Sequence, residues 1–359
     1  MHDRRSFLKS AGLAAAAVPF ASPLAMADEP RRIWRIAGKR VKTVDIHTHC
    51  SPDMAPDLAG TPFEARAVAS RKAYGAPDAA RSARMDRMGI DVEVMSVNPY
   101  WYDMDRELSR RFIDAQNVKL AEMTQGRDGR FYAMATVALQ HPDLAAEQLD
   151  VAIRRRGLRG VGLGCNIAGE ELASRRFDPF WAKCQELEVV VFLHPQDSAN
   201  ATGVAKRVQG AGTLGNVIGN PLETTIALSH LIFEGALDRF PRLRICGAHG
   251  GGYLPSYVDR SDWGCTAIPQ TCAKDAPVLK KKPSEYMRQI YADALVFSPE
   301  ATRHLAAVMG PGQIMIGTDS PVPWYQTPVE TVMATPGLSN ADRIAILGGT
   351  ACRLLNIPA

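Results

Sequence analysis

Short runs rich in Val, Ile and Leu recur along the chain, separated by longer segments whose apolar residues repeat at helical spacing. Runs that are apolar at successive positions, rather than alternating with polar ones, fit strands of a parallel sheet buried on both faces. Eight are found, at residues 41–49, 92–97, 131–137, 160–164, 189–194, 242–249, 290–295 and 314–319. Helical candidates between them include 103–124, 142–156, 179–187, 222–240 and 299–309. Eight strands alternating with helices in roughly 330 residues predict one α/β domain, a (β/α)8 TIM barrel over residues 28–359. Two inserts, between residues 49 and 79 and between 197 and 220, follow strand ends and are rich in Pro, Gly, Ala and Ser. They are expected to be loops covering a substrate on the C-terminal face of the barrel. A third insert spans 262–283.

The first residues do not belong to this pattern. Arg4-Arg5-Ser6-Phe7-Leu8-Lys9 is a twin-arginine pair followed by a hydrophobic position and a lysine, the form of a bacterial export signal. The apolar stretch from Ala11 to Ala25 is shorter than the roughly 20 residues a spanning helix needs. Ala25-Met26-Ala27 supplies a small-x-small cleavage pattern. Residues 1–27 are therefore expected to be a signal peptide and the mature protein to be periplasmic, a frayed amphipathic N-terminus being the alternative. No later segment reaches transmembrane length.

Apolar residues make up 46% of the chain and charged residues 22%, which excludes disordered and fibrous classes. The formal charge of +4 is halved when Arg4, Arg5, Lys9 and Asp3 are set aside. That balance points to neither nucleic acid nor a membrane surface. Lys280-Lys281-Lys282, followed by Pro283, reads as a solvated loop before a helix. The seven cysteines show no CxxC pair and no zinc-ribbon spacing. Cys265 and Cys272 could bridge in an oxidising compartment, and the others read as buried thiols.

Candidate chemistry begins at Val44-Asp45-Ile46-His47-Thr48-His49. Side chains at i and i+2 of a strand share a face, so His47 and His49 can address one ion, although two unrelated histidines explain an isolated pair equally well. The remaining pattern decides between these readings. His194 closes the fifth strand, His249 the sixth, in Ala248-His249-Gly250-Gly251-Gly252, and Asp319 the eighth. Barrel enzymes draw their functional groups from the C-terminal ends of different strands, so these five side chains should meet at one mouth. His2, His141, His230 and His304 fall in the signal, before a proline or on helices, and are read as structural or solvated.

These residues resemble the amidohydrolase superfamily, and more narrowly the aminocarboxymuconate-semialdehyde decarboxylase family, from about Val41 to Leu355. The resemblance rests on Asp45-Ile46-His47-Thr48-His49, Arg84-Met85-Asp86-Arg87-Met88-Gly89-Ile90-Asp91, Gly219-Asn220-Pro221-Leu222-Glu223-Thr224-Thr225, the stretch 235–255, and Gly317-Thr318-Asp319-Ser320-Pro321. It implies that His47, His49, His194 and Asp319 hold one divalent metal, usually zinc, with manganese as the alternative, while His249 acts as acid and base. His249 as a further ligand is the competing reading. A two-metal site in this superfamily would want a carboxylated lysine after the fourth strand, where the chain has Gly162-Leu163-Gly164-Cys165; a mononuclear site follows, with Cys165 left open as an odd ligand. Arg260 matches an arginine that, in the decarboxylase family, reaches the neighbouring subunit's active site to grip a substrate carboxylate. That role implies a homodimer, whereas on sequence alone a surface salt bridge is as good a reading.

Two departures bear on the substrate. Gln196 stands where the family pattern has an aromatic residue, and neither Arg66 nor Arg71 aligns with the expected anion-binding arginine. The leading expectation is a metal-dependent, non-oxidative decarboxylase of an aromatic or unsaturated carboxylic acid. A hydrolase acting on a lactone, carbon–carbon or amide bond is the alternative, and a binding protein that has lost its chemistry is the third.

Overall fold

The computed structural model describes residues 30–98, 100–196, 206–210, 212–272 and 276–359. The expected signal and its cleavage point lie outside the described residues, as does part of the 197–220 insert. The eight apolar runs do form eight parallel strands, the second with the expected bounds and the others shorter than their runs: β1 Val44–Cys50, β2 Val92–Val97, β3 Phe131–Ala133, β4 Val161–Gly164, β5 Val190–His194, β6 Arg244–Gly247, β7 Tyr291–Asp293 and β8 Ile314–Met315. Regular ladders join β1 to β3 in one set and β4 to β8 in another. Single bridges close the ring, Ala135 to Val161 between β3 and β4, and Asp45 to Ile316 and Thr48 to Ser320 between β1 and β8. The result is a TIM barrel.

Helices pack around the strands much as the pattern predicts. Pro142–Arg156 and Pro299–Met309 have the expected bounds, and Arg106–Thr124 starts behind Asp105, whose side chain accepts from the Leu108 N–H as an N-cap. Two differences have clear causes. The 222–240 helix is two helices, Asn220–Phe233 and Ala236–Arg239, because Gly235 takes φ +71°, the left-handed conformation that ends a helix. The 49–79 insert is not a plain loop: Glu64–Tyr74 is a helix, and Ala79–Met88 follows it. Glu64–Tyr74 buries only Ala67 and Ser70, so it carries no apolar stripe to read. Gly215–Gly219, in the second insert, is a π-helical turn.

The third insert begins inside the helix Leu254–Ala267. Cys265 and Cys272 are joined by a disulfide across seven residues, and the other five cysteines are free and buried. Lys280 to Lys282 precede the short helix Pro283–Arg288, as expected. No helix among the described residues is long and apolar enough to cross a membrane.

A buried ion pair lies beneath the barrel mouth. Arg81 reaches in from the helix Ala79–Met88, its Nε donating to Glu93 on β2 and its Nη1 to the His49 carbonyl at 2.7 Å. Neither side chain is more than 4% exposed, and removing one partner would strand the other's charge out of water. Arg81→Met should therefore cost about 3–5 kcal/mol of unfolding free energy, read by urea denaturation.

Candidate metal centre

At the C-terminal end of β1 the ladder with β2 slips by one residue between Asp45 and Thr48, a bulge of the kind that re-aims side chains beside active sites. Across the closing seam the Asp319 N–H donates to the His47 carbonyl at 2.8 Å, and the Ile46 N–H donates to Ile316 at 3.0 Å. These bonds place Asp319 directly against β1. His194 arrives from the last residue of β5. One ligand atom from each of His47, His49, His194 and Asp319 lies within 4.8 Å of all the others, and all four residues are buried.

The ligand atoms suit a cation. His47 Nε2 and His49 Nε2 lie 3.5 and 2.9 Å from Asp319 Oδ1, yet both are buried without a hydrogen bond of proper geometry, and His194 Nδ1 is likewise unpartnered. Leaving such groups unsatisfied is costly, and a divalent ion among three imidazoles and a carboxylate answers all of them at once. Among the described residues no other group of three or more metal-ligating side chains gathers in this way. Cys165 is not part of the cluster: its buried thiol faces Thr224 Oγ1 at 3.9 Å, and burial pushes its pKa well up. A single-ion site follows.

The electrostatics also depend on residues that the sequence reading did not single out. Asp293, the last residue of β7, sits fully buried with Oδ2 2.6 Å from His47 Nδ1. Asp45 accepts the His47 and Thr318 N–H groups at 3.0 and 3.2 Å; burial and then the neighbouring Glu93 push its carboxyl up to about 8. Burial alone would lower the His47 imidazole, but Asp293 and then Asp319 outweigh it and raise it to about 10. Burial opposes ionisation of Asp319, yet its contacts with His47 and His49 hold it far below the usual carboxylate range. His49 and His194 are lowered, chiefly by burial. An acid at the end of a barrel strand was the available signal for Asp293, by the same rule that found Asp319.

His249 stands beside the cluster, its ring centroid 5.1 Å from His47 and 5.4 Å from His194. Its backbone is left-handed, at φ 56° and ψ 46°, a conformation that costs a non-glycine residue about 1–2 kcal/mol. Asp319 is left-handed too, at φ 62°, and such strain is characteristic of functional residues. Gly250, Gly251 and Gly252 continue the turn with positive φ. A Cβ on Gly252 would meet the Pro221 carbonyl at 2.2 Å, so only glycine fits there. Burial, and then the charge on His47, lower His249 to about 4, so its imidazole is neutral at pH 7.

Above these residues opens a cavity of about 410 Å³, bordered by His249, Asp319, Asn216, Tyr253, Phe297 and Trp324. No arginine or lysine among the described residues lines it. The arginines weighed in the sequence are engaged elsewhere. Arg66 forms a two-pronged pair with Asp103 at 3.0 and 2.7 Å, and Arg71 donates to the Ser51 carbonyl. Arg260 is exposed on the helix Leu254–Ala267 and lines a separate groove of about 500 Å³ with Tyr257, Trp263 and Ile268. Within its own chain it is not brought to the metal cluster. Gln196 packs close to Gly164, at the end of β4. His230 pairs with Glu234 and Glu171, and His304 lies 3.4 Å from Ser256 Oγ.

The chain is similar to known proteins in sequence and fold. A family model described as Amidohydrolase matches residues 44–357. The 2-amino-3-carboxymuconate-6-semialdehyde decarboxylase of Dictyostelium discoideum is 27% identical over 88% of this chain and 91% of its own length. The gamma-resorcylate decarboxylase of Rhodococcus jostii (strain RHA1) is 26% identical over 76% of this chain and 85% of its own. Among solved structures, 5-carboxyvanillate decarboxylase from Novosphingobium aromaticivorans, complexed with manganese and 4-hydroxy-3-methoxy-5-nitrobenzoic acid, superposes with a TM-score of 0.76. It is 22% identical and covers 88% of this chain and 96% of that one.

Without metal, His47 keeps its proton at pH 7 and loses it only as pH rises through about 10. Loading an ion must displace that proton. Calorimetric titration in buffers of different ionisation enthalpy should show about one proton released per ion, with affinity strengthening about tenfold per pH unit between 6 and 8. Binding without proton release would contradict this ordering of the site.

Proposed function

The chain belongs to the amidohydrolase family, and from that membership we propose that it is a metal-dependent, non-oxidative decarboxylase of an aromatic or unsaturated carboxylic acid. The observation that carries the reading is His249, a neutral imidazole held beside a single-ion cluster and facing an aromatic-walled cavity. The names of the relatives, all decarboxylases of such acids, support it. His47, His49, His194 and Asp319 hold the ion. Zinc is the resident metal we favour for this ligand set, with manganese, present in the Novosphingobium enzyme, as the alternative. The ion supplies an electrophilic centre that draws negative charge from substrate oxygens.

The chain's own residues do the rest. Decarboxylation breaks the bond from carbon to the carboxyl group, leaves the electron pair on carbon and requires a proton there. His249, neutral at pH 7, takes up a proton from substrate or water and delivers it to that carbon. Phe297 and Trp324 present apolar walls that suit a flat ring.

Because no cation from the same chain lines the cavity among the described residues, a substrate carboxylate that needs one must find it elsewhere. Tyr253 borders both the cavity and the Arg260 groove, so the two surfaces adjoin. We place Arg260 in a homodimer interface, where its guanidinium fork reaches the neighbouring cavity and pairs with a carboxylate. Hydrolysis of a neutral substrate is the second reading, favoured by the same lack of a cation. Residues 1–27 act as a twin-arginine signal in this account, and the mature enzyme works in the periplasm.

Zinc-loaded protein offered a panel of hydroxybenzoates and muconate-type acids should release carbon dioxide; turnover of lactones or amides instead would overturn the reading. His249→Asn should lower turnover by about 10²–10⁴-fold while leaving metal content unchanged. Arg260→Ala should raise KM for a carboxylate substrate by at least about tenfold, whereas a hydrolase acting on a neutral substrate would be nearly indifferent to it.

A further inference from the structure

We propose that Asp293 is a positioning residue that sets, with one carboxylate, both the metal-binding form of His47 and the placement of the His249 imidazole. Its two oxygens meet four groups. Oδ2 lies 2.6 Å from His47 Nδ1 and accepts the His249 N–H at 3.0 Å. Oδ1 accepts the Gly250 N–H at 2.8 Å and the Leu295 N–H at 3.1 Å. No part of the side chain reaches solvent.

Each contact constrains the site. An ionised carboxylate only accepts hydrogen bonds, so its oxygen 2.6 Å from Nδ1 places the ring proton on Nδ1 and leaves the Nε2 lone pair for the ion. On the other side, two successive N–H groups of a left-handed turn point at one anion, the arrangement of a backbone nest. That turn carries His249, and the carboxylate ties both of its N–H groups to β7. Metal ligand and proton carrier come from different strands, β1 and the end of β6, and Asp293 on β7 touches both. A shift of this carboxylate moves the two together.

Asp293→Asn keeps the shape but replaces one oxygen by a donor. With its remaining oxygen on Gly250 and Leu295, the amide faces His47 with an N–H, which favours the tautomer protonated on Nε2 and blocks the ion. Zinc affinity, measured by competition with a chelator and without substrate, should fall about 10–100-fold. At saturating zinc kcat should fall at least about tenfold with KM changed less than about threefold, and in Asp293→Asn/His249→Asn the two losses should not multiply. An effect on packing alone would lower the melting temperature, leave zinc affinity near wild type and give multiplying losses in kcat.

Nitrogen-15 NMR of the zinc-loaded wild type tests the same point without a variant: His47 should carry its proton on Nδ1, coupled to Asp293. A His47 protonated on Nε2 or deprotonated at Nδ1, or wild-type zinc affinity in Asp293→Asn, would overturn the proposal. The affinity and NMR measurements need no substrate and so stand apart from the decarboxylase reading; only the kcat comparison rests on it. If wild-type enzyme turned over no carboxylic acid, that reading would fail and those two measurements would still decide the role of Asp293.

Discussion

The seam between the first and eighth strands is the constraint on which the mouth of this barrel depends. Three backbone bonds, Ile46 N–H to Ile316, Asp319 N–H to the His47 carbonyl and His49 N–H to Ser320, close the ring and in the same stroke bring a carboxylate from one end of the chain against a histidine pair from the other. Neither arrangement survives alone. An ionised Asp319 this deeply placed needs positive charge beside it, and three buried imidazoles with unpartnered nitrogens need an acceptor of their lone pairs. A divalent ion meets both needs. The bulge in β1 just below His47 gives the strand the extra turn that directs its side chains toward that point.

Around the seam, polar groups are layered by depth. Arg81 and Glu93 form an ion pair beneath His49; Asp45 ties the β1 backbone to Thr318; Asp293 joins β7 to His47 and to the turn after β6. Buried polar networks of this kind are most stable when fully paired, and the unpartnered buried atoms here include imidazole nitrogens of His47, His49, His194 and His249. The ring of His249 is kept neutral by burial next to a charged neighbour, and it stands about one side chain's reach from the cluster, 5.1 Å from His47 between ring centroids. Above them the cavity wall is aromatic and carries no cation among the described residues; in the homodimer proposed above, Arg260 on the adjoining exposed helix would supply one.

Much of this was legible in the sequence, for identifiable reasons. Strands buried on both faces read as apolar runs, so all eight appeared, and the ends of the first, fifth, sixth and eighth located His47, His49, His194, His249 and Asp319. Bounds were overrun because apolar residues such as Val137 continue past the last ladder bond into loops. The helix Glu64–Tyr74 left no trace because it packs through only two small residues, and the break at Gly235 depends on a backbone conformation that a glycine permits without announcing. Asp293 escaped because Tyr-Ala-Asp-Ala resembles no motif; its importance comes from four contacts made across three strands. The role proposed for Arg260 would depend on two chains, and one chain's pattern carries the residue without that geometry.

X-ray absorption at the metal edge of the purified protein reads the ion count and its ligand set. One ion per chain is expected, surrounded by imidazole nitrogen and carboxylate oxygen at about 2.0–2.2 Å with no sulfur. Two ions per chain, or a sulfur neighbour at about 2.3 Å that would bring Cys165 into the ligand set, would contradict it.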